Sequence, residues 1–525
     1  MGTREQDPWR VLGLNWRIPQ FWTSSIFVII VASRIPFLFF GHLQEDAFIH
    51  FRIARHFWDT GEFAYNAGEP LLATTSPAYV LLISPLFLLP DSVAIVLVQI
   101  LGSAATVGAI YILAPLFGAR GHRVRLLAVL AIASTPVAIV ASTTGMEIPF
   151  VLLALAIIAR SIETKQHIRI AIVLSLLLPS IRLDSLAQLA ATSIPGYRRN
   201  IIAPLALFSA GVAGLLLQLA TAKFLFNDYL PQSIQGKATS YSIGHLGVTD
   251  RLLRIFESFA QVAVPIDTKF LDQFESIWVL IGAIATGIVL KYGKFSTRLK
   301  LSSVAISWGI PAAYAVSGTQ LFPWYFWLSS IWLYAMTIVS IMSLRPTAQY
   351  DFHGLSLKKL NMPLIIGAII VIFYAGQLVT SYANGTEERK YRKEVGDWIQ
   401  QNSLADDSLM LVPIGIIGFE SELYIHDEIA LVSPAVEDYR KQFGLNWWTR
   451  YLEDYSPDFL LQTDRILEGR SPSALLTESE LAYFNENYQL VRRFEYVPDD
   501  YSTNTIARKL LSLGSADSYN LYQRR

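Results

Sequence analysis

Residues 45–76 read EDAFIHFRIARHFWDTGEFAYNAGEPLLATTS and follow directly on an apolar stretch at 23–40. That order puts two adjacent carboxylates, Glu45 and Asp46, at a membrane surface just after a first span. On a helix over 46–58, Asp46, His50 and Ile53 share one face, while Arg52, Arg55 and His56 share another, because residues three and four apart are neighbours. A carboxylate so placed can act as general base toward an acceptor hydroxyl, and the arginines can neutralise a phosphate leaving group. The same pattern also fits an amphipathic helix whose charges meet lipid headgroups.

The composition around this stretch is that of a membrane protein. Of 525 residues, 53% are hydrophobic and 16% charged, with a mean hydropathy of +0.39; soluble domains carry about 25% charged residues. Basic and acidic side chains number 42 each, so no basic excess points to nucleic acid. The absence of cysteine excludes disulfides, thiolate metal sites and a thiol nucleophile. The neutral total hides an asymmetry: residues 1–384 hold 27 Lys/Arg and 18 Asp/Glu, and residues 385–525 hold 15 and 24. The expected architecture is a polytopic α-helical membrane part over 1–384, followed by a soluble α/β domain over 385–525.

Candidate spans lie at 23–40, 76–89, 93–117, 127–142, 147–160, 168–181, 184–197, 200–223, 275–291, 300–317, 322–344 and 362–381. Several fall short of the roughly 20 residues that a bilayer core needs. The stretch 168–197 reads either as two short helices hinged at Arg182, Leu183 and Asp184 or as one long tilted helix. Segment 23–40 does not read as a signal peptide, since no small-residue cleavage site follows it. Six clusters (Arg4/Arg10/Arg17, Arg120/Arg123/Arg125, Arg160/Lys165/Arg169, Arg198/Arg199, Lys291/Lys294/Arg298/Lys300 and Arg345/Lys358/Lys359) hold 18 of the 27 basic residues of the membrane part. Lys and Arg stay on the cytoplasmic side. If 76–89, punctuated by three prolines, does not cross, the map has about eleven crossings, the N-terminus inside and the C-terminus outside. Loops 41–75, 143–147, 182–184, 224–274 and 318–323 then face outward.

Past residue 385 the pattern alternates helix and strand. A helix is expected over 386–401 and strands over 409–412, 429–432, 459–462 and 490–494, which together predict a small α/β domain. Gly415 and Gly418 lack the third glycine of a dinucleotide loop.

Further chemistry-bearing residues lie in the outward loops. Glu147 (in TTGMEIP) and Asp184 (in SIRLDS) sit among apolar residues, where a carboxylate faces a cavity or a partner. Arg182 either bridges them structurally or serves a site. Glu163 lies in a basic loop and reads as a solvated charge. FLFNDYLPQSIQGK at 224–237 offers Asp228, Gln232, Ser233 and Lys237, of which Lys237 is either a phosphate ligand or an ordinary loop lysine. FPWYFW at 322–327 presents Trp324 and Tyr325, suited to stacking on a sugar or prenyl chain, or to an interfacial aromatic belt. The histidines lack the spacing of a zinc site. Glu45 and Asp46 could hold a hard divalent cation (Mg, Mn or Ca) with waters and phosphate oxygens.

Taken in order, EDAFIHFR, GEFAYNAGEP and TTSP resemble the first extracytoplasmic loop of GT-C glycosyltransferases, in particular the arabinofuranosyl- and mannosyltransferase-like branch. TGMEIP resembles that branch's second acidic loop, SIRLDS its arginine–proline–aspartate–glycine turn, and DYLPQSIQGK its loop with a proline, a polar pair and a lysine. The resemblance spans most of 25–330 and, more weakly, the C-terminal domain through HDEIALVSP and YSPDFLLQTD. It implies a multi-pass enzyme of a bacterial inner or plasma membrane that takes a pentose or hexose from a polyprenyl-phosphate donor. The sugar passes, with inversion, to an extracytoplasmic glycan, lipid or protein. Asp46 matches the catalytic carboxylate, and Arg52, Arg182, Lys237 or a cation would balance the leaving phosphate. Glu45, His50, Glu147, Asp184, Asp228, Trp324 and Tyr325 complete the expected substrate contacts. Because phosphate is already a good leaving group, one base suffices and the acid–base pair of a glycosidase is unnecessary. The chain departs from the pattern at Glu45, where aspartate is commoner, at Arg182–Ser185, which lacks the proline and glycine, and at Gln232–Ser233, which replaces Asn-Thr.

Two other classes fit a polytopic chain. A lipid-linked sugar transporter or flippase predicts internal repeats and ionisable residues near the midplane; the sequence has no evident repeat. A non-catalytic scaffold would bind the lipid-linked sugar without turning it over. Within the enzyme class, an oligosaccharide ligase or polymerase would transfer a whole glycan. The acidic outer domain reads as an acceptor-binding or stabilising element.

Overall fold

The computed structural model describes residues 28, 30, 32–40, 42–119, 121–194, 201–244, 246–263, 275–316, 318, 322–343, 362–385, 390–470, 476–496 and 518–525. The start of the first span, the clusters Arg4/Arg10/Arg17, Arg198/Arg199 and Arg345/Lys358/Lys359, Arg120, and the helix start at 386–389 lie outside the described residues.

Two described helices are long and apolar enough to cross a membrane, Asp91–Leu113 with 23 residues and Ile202–Phe226 with 25. At 1.5 Å per residue each reaches about 35 Å. The pair Val124–Ala133 and Pro136–Thr143, bent by 72°, adds a third if it counts as one span. Its bend follows from Pro136 at the first helical position, where Thr135 is extended, since a proline starts a helix but cannot continue one. The other apolar helices range from the 7 residues of Pro77–Ile83 to the 24 of Met362–Gly385, so helix length does not delineate eleven crossings. Segment 76–89 forms Pro77–Ile83 and a 3-10 turn, Ser84–Leu88, together too short to span as a helix.

The stretch 168–197 adopts the two-helix alternative. Ile168–Ile181 stops where Arg182 becomes extended (φ −162°), and Ser185–Ser193 follows. Ile202–Phe226 packs on the first of these through Gly214, where an added Cβ would stand 1.9 Å from the Leu176 carbonyl oxygen. Small residues allow such close backbone approach between apolar helices. Ile202, Leu205, Leu216, Leu217, Phe224 and Leu225 remain exposed along the rest of that helix. A water-facing surface would not carry so large an apolar patch, and the chain is an integral membrane protein.

The C-terminal domain is α/β. Its five-stranded sheet runs β2-β1-β3-β5-β4, with β1 Ser408–Leu411, β2 Tyr424–Asp427, β3 Phe459–Thr463, β4 Tyr488–Phe494 and β5 Tyr519–Arg524. β2 and β3 flank β1 in parallel, while β5 pairs antiparallel with β3 and β4. Side chains alternate across the sheet as the strand period requires. Leu409, Leu411, Phe459 and Leu461 join a core continuous with that of the membrane part, and Met410 and Leu460 join Trp448, Tyr451 and Phe484 on the other face. The expected strand at 429–432 is instead a turn wrapped around the buried Asp427 carboxylate, which accepts N–H bonds from Ile429, Leu431 and Val432. Its place in the sheet is taken by Tyr424–Asp427.

Candidate active site

Glu45–Thr60 is a helix with both carboxylates in its first turn and an αL cap at Gly61. Negative charge is favoured at a helix N-terminus, and glycine tolerates the left-handed cap. The Gln44 N–H donates to the Thr144 carbonyl at 2.9 Å, which ties the helix start to the TGMEIP loop. Gly145 there has φ +80°, and an added Cβ would meet the Phe51 ring at 2.7 Å.

Asp46 Oδ2 accepts from Lys237 Nζ at 3.1 Å, and Lys237 Nζ also lies 3.3 Å from the Tyr325 hydroxyl. Lys237 belongs to the short helix Gln232–Ser240, started by Pro231. Burial works against its ammonium, but Asp46 and Tyr325 outweigh burial and hold its pKa above the ordinary lysine value. Arg182 also lies over the Tyr325 ring, its Cζ 4.8 Å from the ring centroid. Arg182 donates to Glu147 Oε1 at 2.5 Å and to Asp184 Oδ1 at 2.7 Å. Tyr314 donates its hydroxyl to the other Asp184 oxygen. His50, one turn beyond Asp46, is buried; burial pushes its pKa down despite the Glu147 and Asp46 carboxylates, so its imidazole is neutral at pH 7. Its Nδ1 faces Glu147 Oε2 across 4.0 Å, and both atoms are buried without a hydrogen-bond partner.

Asp46, His50, Glu147, Arg182, Asp184, Lys237 and Tyr325 therefore converge from five separate parts of the chain. The other expected residues do not join them. Arg52 is buried and donates to three backbone carbonyls, Tyr65 at 2.8 Å, Leu423 at 2.7 Å, and Gly418; its guanidinium is held inside the junction with the C-terminal domain. Asp228 is exposed and accepts from Gln235 at 2.8 Å and from the Leu230 N–H. Trp324 stacks on Phe322 with ring centroids 4.7 Å apart. Glu45 turns away from Asp46: Oε1 accepts from the Gly415 N–H at 2.6 Å and Oε2 from Arg392 at 3.0 Å.

Glu45 and Asp46 thus point to different partners, each a cationic or N–H donor, and together make no cation cage. The described residues contain no group of three or more His, Asp or Glu side chains with the geometry of a metal site.

Beside the polar cluster lies an apolar groove of about 170 Å³, lined by Tyr79, Leu82, Phe150, Leu153, Leu174 and Ile181. Tyr79 closes one end, its ring 5.4 Å from that of His50 and its hydroxyl on the Gly145 carbonyl. Ile181 immediately precedes Arg182. Exposed Leu82 opens the groove to the outside of the bundle. Sequence reasoning missed Tyr314, Tyr79, Arg392 and the role of Gly415. For Tyr314 a signal existed, a lone hydroxyl in the apolar run IPAAYAV; for the others only the tertiary fold supplies one.

Residues 380–522 match a family described as a domain of unknown function, DUF8728. No curated protein matches the sequence. Among solved structures, ArnT from Cupriavidus metallidurans bound to undecaprenyl phosphate superposes with a TM-score of 0.57 at 13% identity, over 95% of this chain and 97% of that one. The apo state of the same protein gives 0.56 at 12% identity, over 96% and 98%. Arabinofuranosyltransferase AftD from Mycobacteria aligns over 96% of this chain and 40% of its own length, with a TM-score of 0.45 at 11% identity. The likeness to ArnT, end to end in both chains, shows that this chain has the GT-C fold.

Proposed function

We propose that this chain of GT-C fold is an inverting membrane glycosyltransferase, moving a sugar from polyprenyl phosphate to a hydroxyl on the outer side of the membrane. The observation that carries the reading is the Asp46–Lys237 ion pair, joined through Tyr325 to Arg182 and set beside an apolar groove. A phosphate bearing a long isoprenoid tail calls for cations next to an apolar surface that the start of the tail can occupy. That ArnT has been captured with undecaprenyl phosphate supports the same ligand chemistry here.

In the resting arrangement Lys237 neutralises Asp46. A donor phosphate seated near Lys237 and Arg182 draws the ammonium toward itself and leaves Asp46 with a free oxygen pair. The acceptor hydroxyl then attacks the anomeric carbon from the face opposite the phosphate. A new C–O bond forms, the bond from the anomeric carbon to the phosphate oxygen breaks, and its electron pair stays on the phosphate. The hydroxyl proton passes to Asp46 Oδ, and Lys237 and Arg182 balance the polyprenyl phosphate that departs. His50, neutral and one turn along the same helix, and the open Oε2 of Glu147 offer a donor and an acceptor for sugar hydroxyls. We read the membrane part as crossing about eleven times with the C-terminal domain outside.

The test is transfer by the purified protein in nanodiscs, supplied with radiolabelled polyprenyl-phosphate pentoses and hexoses. Asp46→Asn keeps the side-chain shape and removes the base, and turnover is expected to fall by about 10²- to 10⁴-fold. Wild-type turnover that survives this substitution would overturn the assignment of Asp46. Donor that crosses the bilayer unconsumed would favour a flippase.

A further inference from the structure

The two members of the catalytic ion pair are 191 positions apart, and both of their helices are fixed by the same third party. At the first helix, Glu45 is adjacent to Asp46 and is held by Gly415 and Arg392 of the C-terminal domain. The fit has no slack, because a Cβ on Gly415 would stand 2.2 Å from the Glu45 carbonyl oxygen and 2.6 Å from its carboxylate. At the second helix, Gln232 Nε2 donates to the Ala430 carbonyl at 3.0 Å and to Glu437 at 2.8 Å. Ser240 Oγ donates to the Ile429 carbonyl at 3.0 Å. Gly236, the neighbour of Lys237, lies so close that its Cβ would be 2.5 Å from the Ala430 oxygen. The turn that receives these bonds is itself shaped by Asp427 through the N–H groups of Ile429, Leu431 and Val432.

We propose that the C-terminal domain is the template that sets the distance between Asp46 and Lys237, with Glu45 and Gln232 as positioning residues that latch the two helices onto it. The inference rests on the assignment of Asp46 and Lys237 made above. It gives the carboxylate of Glu45 a role other than metal or substrate ligation, and gives residues 390–525 a part in chemistry rather than in acceptor choice alone. The latches lie where they matter most: Glu45 abuts Asp46, and Gly236 abuts Lys237. Catalytic constellations lose about 10²-fold in rate when displaced by 1 Å, so a backbone pushed aside at either latch disturbs the ion pair first.

The experiment uses full-length protein in nanodiscs, comparing wild type, Gly415→Ala and Arg392→Gln. Three quantities are read for each: kcat for transfer and for slow donor hydrolysis by water, donor KM, and the exchange rate of the backbone amides of 46–50. The expected result for Gly415→Ala is a fall in both kcat values of about 10- to 100-fold, a donor KM changed less than about twofold, and faster exchange at 46–50. Arg392→Gln, which adds no atoms at a crowded position, is expected to shift the same quantities in the same direction by less. Hydrolysis separates the template from an acceptor site, because water replaces the acceptor but still needs Asp46. Hydrolysis unchanged while transfer falls would overturn the inference in favour of acceptor binding. A lower yield of folded protein with unchanged kcat per folded molecule would overturn it in favour of a stability role. If wild type turns over no donor, the assignment of Asp46 fails and this inference fails with it; if wild type is active and both variants match it, the inference alone fails.

Discussion

Lys237 is the residue on which the electrostatics turn. It is the cation that holds Asp46 at rest and the first that a donor phosphate would meet. Lys237→Met is expected to lower kcat/KM for the donor by about 10- to 10³-fold, the cost of leaving one member of a partly buried charge pair alone. Lys237→Arg should recover part of it; equal losses in both would argue against a charge role. In the proposed mechanism Lys237 and Arg182 supply the positive charge, although at rest they face three carboxylates, Asp46, Glu147 and Asp184. Turnover unchanged by EDTA is the outcome expected if the two side chains suffice, and activity lost to EDTA and restored by Mg, Mn or Ca would show that a cation makes up the difference. Much of this was legible at the level of single residues. The i, i+4 spacing of Asp46 and His50 put both on one face, and carboxylates stranded in apolar sequence at 147 and 184 marked a partner nearby. Arg52 misled for a physical reason: its acceptors are backbone carbonyls 13, 366 and 371 positions away, and a carbonyl leaves no mark in a sequence. Glu45 misled likewise, since one of its partners is the N–H of a glycine and the other, Arg392, lies 347 positions away.

At the scale of elements, the break at 182–184 could be read as a hinge, and the structure uses it to deliver Arg182 and Asp184 to the site. Its geometry depends on the neighbouring helix. Gly214 sits against the Leu176 carbonyl, six residues before Arg182, so Gly214→Val must push Ile202–Phe226 away from Ile168–Ile181. Overpacking of this kind costs about 1–3 kcal/mol, and a lower unfolding temperature in detergent, accompanied by lost turnover, is the expected outcome; an unchanged midpoint would show that the helices separate freely. In the C-terminal domain, apolar runs located β1, β3 and β4. The run at 429–432 was apolar for a different reason, as a turn buried against the Gln232–Ser240 helix. β5 escaped notice because it lies between β3 and β4, and its sequence YNLYQR shows neither a clean alternation nor a continuous apolar run.

For the whole molecule, the change of composition near residue 385 marked where helices give way to a sheet, all five described strands lying beyond it, because lipid exposure and water exposure demand opposite surfaces. The number of crossings was not legible in the same way, since the apolar helices vary from 7 to 24 residues, with breaks at Pro136 and at 182–184, and such lengths do not report uniformly on the bilayer. The natural absence of cysteine makes the topology directly measurable. Leu445→Cys, at an exposed position of the C-terminal domain, is expected to react with an impermeant maleimide in intact cells or spheroplasts, and Gln166→Cys, exposed in the basic loop between two helices, only after permeabilisation. The reverse pattern would invert the map and place the chemistry on the cytoplasmic side.

The long reach of the contacts around Glu45 and Arg52 also has a meaning for biosynthesis. The groups they await, Gly415, Gly418 and Leu423, are 366 to 371 residues downstream. While the ribosome is still adding the intervening helices, the glutamate stands at the membrane surface with water and the arginine with water and the nearby Tyr65 carbonyl, and contacts of such sequence separation close late. The machinery near Asp46 is therefore completed only after most of the acidic domain has been translated and has docked. A nascent or prematurely terminated chain would insert its helices and yet lack the contacts that hold the start of the Glu45–Thr60 helix, so, on the proposed function, activity would belong to finished molecules alone.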